Sequence, residues 1–348
     1  MNVLFTCAGR RNYLLGYFRE ALGESGQVIA ADSSPMSAAV NEADIALTLP
    51  RVDSAGYVDR LLDVCRELRV GLLVSLNDHE LALLASARER FAAAGTQVVV
   101  SCPEVIERCF DKLATLTFAR RLGVAGPYTV TTLEAARSAL RIGRLAFPLF
   151  VKPRWGTASI GVERVENREE LELVWQLAGR RLRRQGLRGA ETRAGLLIQE
   201  ALPGIEYGLD VINDLTGRYQ TTLAKQKLAM RAGETDRAVI VQSPTLIKLG
   251  RRIGEALKHV GNLDCDVFMH GDQVYLLELN PRFGGGYPFS AEAGARLPDA
   301  LLAWAQGLAP PLGWERVQPG QAYAKCDRLV NLRYGAAAQS DGRMVAHA

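Results

Sequence analysis

Val274-Tyr275-Leu276-Leu277-Glu278-Leu279-Asn280-Pro281-Arg282-Phe283-Gly284-Gly285-Gly286 is the stretch on which the reading of this chain turns. An apolar run of strand character presents a carboxylate, a carboxamide and a guanidinium at alternate positions, then breaks at proline and three glycines. Side chains alternate faces along a strand, so Glu278, Asn280 and, if the extended geometry persists past Pro281, Arg282 share one face. A carboxylate beside an amide oxygen suits Mg²⁺, a hard cation that takes oxygen ligands and leaves room for phosphate oxygens. An arginine just beyond can stabilise charge on a transferring phosphoryl group. An exposed strand end with an ordinary turn is the plain alternative. One hairpin earlier, Leu263-Asp264-Cys265-Asp266-Val267-Phe268 carries a second acid, with His270-Gly271-Asp272-Gln273 as the turn. Antiparallel pairing would set Asp266 beside Glu278, two carboxylates facing one metal cluster.

At 348 residues the chain has room for two or three compact units. Its formal charge of +4 is too small to imply a polyanionic partner. The start, MNVLFTCAGRRNYLL, reads as strand and loop rather than a secretory leader, and no apolar run is long enough to span a bilayer. The six cysteines are scattered without a CxxC pair, which predicts reduced, packed thiols and a cytoplasmic location. The four histidines show no zinc spacing.

Upstream, residues 1–102 alternate short apolar strands with helical patterns, which predicts a doubly wound parallel sheet. Ligands of such sheets sit beyond the carboxyl ends of the strands, pointing to Cys7–Tyr13, Asp32–Ser34 and Asn77–Glu80. The first loop holds one glycine followed by Arg10 and Arg11, so a dinucleotide fingerprint fails. The two arginines suit a substrate carboxylate or phosphate, a solvated loop, or an ion pair to a neighbouring domain. Asn77 and Asp78 could read a substrate amine; capping the next helix explains Asp78 as well.

Between residues 103 and 198 a helical pattern spans Pro103 to about Leu122 and includes Asp111-Lys112. Phe147–Pro153 then forms a strand ending in Lys152, and Arg154–Gly161 follows as a small-residue loop. Backbone N–H groups in such a loop can fold over phosphates above a lysine, although no Walker A pattern is present. Asn167–Gln185 reads as a helix with a basic end reaching Arg188, a solvated terminus favourable to the helix dipole or a nucleic-acid patch. In Leu196–Val211, Glu200 and Leu202 bracket backbone that could pair with an adenine edge, and Glu206 could take ribose hydroxyls. Ala322–Val330 is expected as a strand.

Taken in order, Asp111-Lys112, Val151-Lys152-Pro153, the small-residue loop, Gln199-Glu200-Ala201-Leu202-Pro203-Gly204-x-Glu206, Asp266 and Glu278-x-Asn280-Pro281-Arg282 resemble the ATP-grasp superfamily, most closely its carbamoyl-phosphate-synthase-like and biotin-carboxylase-like branch. The likeness implies an α/β and α+β chain: a pre-ATP-grasp Rossmann-like domain (1–102), linker helices and a small lobe (103–198), and a large lobe with the metal site and a C-terminal tail (199–348). It implies that Lys112 and Lys152 contact ATP phosphates under a flap that includes Thr157, Ala158 and Ser159. Glu200 and Leu202 become adenine hinge positions and Glu206 the ribose ligand. Asp266, Glu278 and Asn280 hold Mg²⁺ or Mn²⁺, and Arg282 stabilises an acyl-phosphate, with Lys152 as its catalytic companion. Arg10, Arg11, Asn77, Asp78 and Arg231 are the candidates for the substrate pocket. Lys225, Lys227, Arg231 and Glu234 lie in a stretch that looks like a substrate-side segment.

The flap is poorer in glycine than the carboxylase pattern, and Asp266 stands where some relatives carry Gln or Glu. No glutaminase, biotin carrier or second synthetase half is present. The expected activity is an ATP- and Mg-dependent, ADP-forming carboxylate–amine ligase working through an acyl-phosphate on small-molecule substrates, without nucleic-acid or membrane partners. Carboxyphosphate chemistry on bicarbonate is the alternative within enzymes, and a nucleotide-binding regulator or inactive scaffold is the alternative of another class. Homodimers are common among such relatives, but no sequence feature fixes an interface.

Overall fold

The computed structural model describes residues 1–156, 159–184 and 195–332, and the backbone of Val345–Ala346. Thr157, Ala158 and Arg188 therefore lie outside the described residues. Strands β1 (Asn2–Thr6), β2 (Val28–Asp32), β3 (Ile45–Thr48), β4 (Val70–Ser75) and β5 (Gln97–Val98) form a parallel sheet in the order 3-2-1-4-5. Short β16 (Val345–Ala346) adds antiparallel to β3. Helices α1 (Asn12–Leu22), α2 (Ala38–Glu42), α3 (Tyr57–Glu67) and α4 (Asp78–Ala93) connect these strands. Both sheet faces are covered, which is why β1 is apolar at consecutive positions: Val3 and Phe5 face one core and Leu4 another. The order reverses between β1 and β4, placing the loop of Arg10 and Arg11 beside Asn77 and Asp78.

The expected helix from Pro103 to Leu122 is two helices, α5 (Pro103–Phe110) and α6 (Lys112–Arg121). Asp111 breaks it by adopting extended backbone and accepting the N–H of Leu113 as the cap of α6. Next comes a four-stranded sheet in the order β6-β9-β7-β8, from β6 (Thr129–Val130), β7 (Leu149–Pro153), β8 (Glu163–Val165) and β9 (Leu196–Glu200). Helices α7 (Leu133–Arg141) and α8 (Arg168–Arg184) cover it, with a core of its own that includes Leu149, Val151, Leu171 and Ile198. The chain enters and leaves this unit on neighbouring strands, with Thr129 opposite Gln199.

An antiparallel sheet follows in the order β14-β13-β10-β11-β12-β15. Its strands are β10 (Ile205–Asn213), β11 (Tyr219–Arg231), β12 (Glu234–Val241), β13 (Gly261–His270), β14 (Gln273–Asn280) and β15 (Ala322–Ala324). α9 (Pro244–Leu257) packs its apolar stripe on this sheet together with α5 and α6. The expected strand 322–330 stops at Ala324, because beyond it the segment is held by Lys325, Asp327 and Arg328 ion pairs rather than a ladder. After α10 (Tyr287–Glu292), α11 (Leu297–Ala305) returns to the N-terminal sheet. Its Leu297, Ala300 and Leu301 share one core with Val3, Phe5 and Leu14.

Candidate active site

Strands β13 and β14 form the floor of the site. In their register Asp264 stands opposite Asn280 and Asp266 opposite Glu278, with a bulge directly after Asp266. On the other flank of β13, β10 sets Asp210 beside Asp264 and Gly208 beside Asp266. Alternation places all these acids on one face, which requires neighbouring cations. β11 supplies two. Lys227 Nζ lies 2.7 Å from both Asp266 Oδ1 and Glu206 Oε1. Burial opposes its charge, but Asp266 and Glu206 outweigh burial and hold the ammonium well above its usual range. Lys225 Nζ, 2.5 Å from Asp210 Oδ2, forms a fully buried pair in which Asp210 also accepts the Ser290 hydroxyl.

The second wall comes from α6 and β7. Lys112 Nζ is 3.5 Å from Glu278 Oε1 and donates to the Gly156 carbonyl at 2.8 Å. Arg154 clamps both oxygens of Asp111, tying the strand end to the start of α6. Burial would raise the Asp111 carboxyl, yet Arg154 and the Leu113 N–H hold it below the usual range. Lys152 is only 7 % exposed and has no hydrogen bond or ion pair among the described residues. Burial pushes its ammonium down to about 8, Lys112 adds to that, and Glu278 opposes. A buried, unpaired ammonium is unfavourable until an anion reaches it, which suits a phosphate.

Arg282 does not continue the strand. Its N–H turns back to the Asn280 carbonyl at 2.8 Å, and its guanidinium reaches Asp78 Oδ2 at 2.7 Å and Asp264 Oδ2 at 3.9 Å. Burial and then Asp266 push the Asp264 carboxyl up to about 7, against the pull of Arg282. The glycines after Arg282 are required by close approach. A Cβ on Gly284 would fall 2.0 Å from Asp264 Cγ, and one on Gly285 would fall 2.9 Å from the Glu234 carboxylate.

Other anticipated residues are distributed as follows. Glu200 turns its carboxylate to the Tyr128 N–H at 2.6 Å, and Leu202 follows it, half-buried, beyond β9. Ser159 has φ +56°, in the left-handed region. Asn77, not Asp78, caps α4 by accepting the His79 N–H, which frees Asp78 for Arg282. Arg11 donates to the Leu76 and Phe283 carbonyls and lies 3.3 Å from Glu234. Arg10 and Arg231 meet on the surface at Asp327, and Arg231 also pairs with Asp236 at 3.0 Å. Asp264, for which no role was expected, and Lys227, expected only as part of a substrate-side segment, stand inside the site. Strand alternation from Asp266 was the signal for Asp264, and the pair Lys225–Lys227 for the second. A cleft beside them is lined by Asp78, Cys109, Phe110, Gly156, Glu278 and Asn280.

Asp266, Glu278 and Asn280 offer oxygen donors alone, a set that fits Mg²⁺ or Mn²⁺ with phosphate oxygens completing the shell. Among the described residues no group of three His, Cys, Asp or Glu forms a cage by itself. Lys227 and Lys112 share the carboxylates instead.

Residues 3–99 match the PylC-like N-terminal domain, and residues 192–328 match a model described as ATP-grasp in the biosynthetic pathway with Ter operon. Residues 192–328 thus carry an ATP-grasp domain match, in line with the expected family. The chain is 31 % identical over 212 residues to a D-alanine–D-alanine ligase of Streptococcus pyogenes serotype M49 (strain NZ131), covering 55 % of this chain and 58 % of the relative. The chain thus spans little more than half the length of that ligase. Its fold is similar to the biotin carboxylase of Campylobacter jejuni, solved as a β,γ-ATP complex (TM-score 0.71, 15 % identity, 92 % of this chain and 74 % of that one). The L-amino acid ligase of Bacillus licheniformis is similar too (TM-score 0.63, 17 % identity, 92 % and 78 %). The expected parallel N-terminal sheet is observed, and the antiparallel sheets that follow it match the architecture of these ATP-grasp neighbours. Among the described residues no helix is long and apolar enough to cross a membrane.

Proposed function

We propose that this ATP-grasp protein is an ADP-forming ligase that joins a small-molecule carboxylate to an amine through an acyl-phosphate. The observation that carries the reading is one cluster: Glu278 opposite Asp266, Lys112 3.5 Å from Glu278, and buried Lys152 without a partner among the described residues. The similar D-alanine–D-alanine and L-amino acid ligases support it. Residues 1–102, 103–198 and 199–348 serve in this reading as the pre-ATP-grasp domain, the helices with the small lobe, and the large lobe.

A substrate carboxylate oxygen bonds to the γ-phosphorus as the bond to ADP breaks. The amine nitrogen then bonds to the acyl carbon, phosphate leaves with the former carboxylate oxygen, and the amine gives up a proton. Lys112 and Lys152 bind and orient the triphosphate, since positioning and charge neutralisation dominate phosphoryl transfer. Asp266, Glu278 and Asn280 would hold the divalent cation, which supplies charge neutralisation between phosphate oxygens. Glu206 faces the ribose, Glu200 and Leu202 border the adenine, and Ser159 belongs to the flap. Arg282, fixed by Asp78, stabilises the charge that develops on the acyl-phosphate.

Substrate labelled with ¹⁸O in its carboxylate tests the route. Transfer of one label into released phosphate is expected; turnover without transfer overturns it. ADP release that depends on bicarbonate rather than on an organic acid would favour carboxyphosphate chemistry, and Mg-ATP binding without substrate-stimulated release a regulatory protein.

A further inference from the structure

The cleft beside Glu278 and Asn280 has two kinds of wall. Ile106, Cys109 and Phe110 stand at i, i+3 and i+4 on α5, and Asp78 and Leu81 at i and i+3 on α4, so each helix gives the cleft one face. The end of β14 and Pro281 close the third side. Leu81, Ile106, Cys109 and Leu279 are buried. Phe110 is half-buried, its ring in a T-shaped contact with His79 at 5.6 Å. Arg154, by clamping Asp111, fixes where α5 ends and with it Phe110.

The charges in this cleft are already matched. Asp78 is neutralised by Arg282 at 2.7 Å, and Glu278 faces Lys112 at 3.5 Å. Burial pushes the Cys109 thiol up, so it stays an uncharged sulfhydryl. A phosphate seated against Leu81, Ile106 and Phe110 would give up its water and meet no side-chain donor from them, which is costly. A carbon substituent has no such need, and its burial there removes apolar surface from water. The depth of the cleft leaves about 10 Å³ for the centre of a water-sized sphere, room for one methyl-sized group.

We propose that this cleft seats the substituent next to the reacting carboxylate of the substrate acid, and that Phe110 sets how large that substituent can be. This rests on the ligase reading, in which the acid meets the γ-phosphate at Glu278 and Asn280. Those two residues are themselves part of the cleft wall, so a short group on the reacting carbon reaches the apolar faces. The class selected is an acid carrying a short aliphatic group, with or without an amino group. The opposing assignment gives the cleft to the nucleotide.

The test uses the full chain with Mg-ATP and hydroxylamine, which captures an acyl-phosphate as a hydroxamate. The acids are acetate, propionate, butyrate and pentanoate, and in parallel glycine, alanine, 2-aminobutyrate and norvaline. In the series that is used, kcat/KM should rise about tenfold from its first member to its second and fall at its last. Phe110→Ala should move the optimum to a longer chain and raise kcat/KM for the last member about tenfold. Its Mg-ATP affinity, read by calorimetry, should stay within about twofold of the wild type. Phe110→Leu, a milder change, moves the optimum in the same direction and keeps the test available if Phe110→Ala does not fold. A chain-length profile that is the same in the wild type and both variants overturns the proposal while the ligase reading stands. So does a variant that loses Mg-ATP affinity and keeps the wild-type profile, which gives the cleft to the nucleotide. If neither these acids nor a broader panel of carboxylates stimulates ADP release, the ligase reading itself fails, and the proposal with it.

Discussion

Arg282 Nη2 stands 2.7 Å from Asp78 Oδ2, so the cation that follows β14 is anchored by the first turn of α4 from the N-terminal sheet. Both side chains are about nine-tenths buried. Removing one member of such a pair leaves an uncompensated charge in a poorly solvated place, which is far worse than never burying the pair. Asp78→Asn should therefore lower stability by about 3 kcal/mol in urea denaturation. Asp78→Asn with Arg282→Met should recover part of that loss. A single variant as stable as the wild type would show the anchor to be dispensable.

Lys152 gives the site a pH signature. Folded, it loses its proton near pH 8, whereas an unfolded lysine keeps it to about pH 10.5. Between those values the unfolded chain binds more protons, so this group makes stability rise with pH across that window and contributes no slope below it. Arriving phosphates favour the charged form. Nucleotide binding at about pH 8.5 should then take up protons, measured by calorimetry in buffers of different ionisation enthalpy. The uptake should vanish at about pH 6.5 and in Lys152→Met. Uptake that persists in Lys152→Met would assign it to another group.

Lys227 neutralises Asp266 and Glu206 together. Lys227→Met leaves two carboxylates facing each other without their cation. A melting temperature several degrees lower is expected, with a larger upward shift on adding Mg²⁺ than the wild type shows. Equal Mg²⁺ shifts in both proteins would argue that the metal does not reach Asp266.

The glycine run offers a steric contrast. Gly284→Ala forces a methyl onto the Asp264 carboxylate and should lose about 1–3 kcal/mol together with ADP release. Gly16→Ala, in the exposed middle of α1 with open space around it, should gain about 0.5–1 kcal/mol. Thermal melts of the two variants shifting in the same direction would refute the contact.

Much of this architecture is legible in the linear chain because the signals are periodic. The alternation of Glu278 and Asn280, and the one-hairpin spacing to Asp266, foretold the pairing of Asp266 with Glu278 that the strand register shows. The N-terminal strands announced themselves as apolar runs because both faces of that sheet are covered. What stayed hidden depends on contacts distant in sequence. Nothing local says that Asp78 belongs to Arg282 204 residues away, or that Asn77 rather than Asp78 caps the helix. Asp111 looked helical because its neighbours are; its break arises from the Arg154 clamp 43 residues later. Arg10 and Arg231 were singled out by charge alone; their surface pairing with Asp327, and that of Arg231 with Asp236, had no local signal.

The four-stranded sheet has its own core, and its first and last strands lie side by side. By contrast, the parallel sheet is cemented to α11 from the far end of the chain. It follows that this four-stranded unit is a cassette. Its two ends can be rejoined or regrafted without disturbing the frame, so chimeras exchanging this segment between relatives should fold, whereas a gene severed after residue 102 yields two halves, each with a raw oily face.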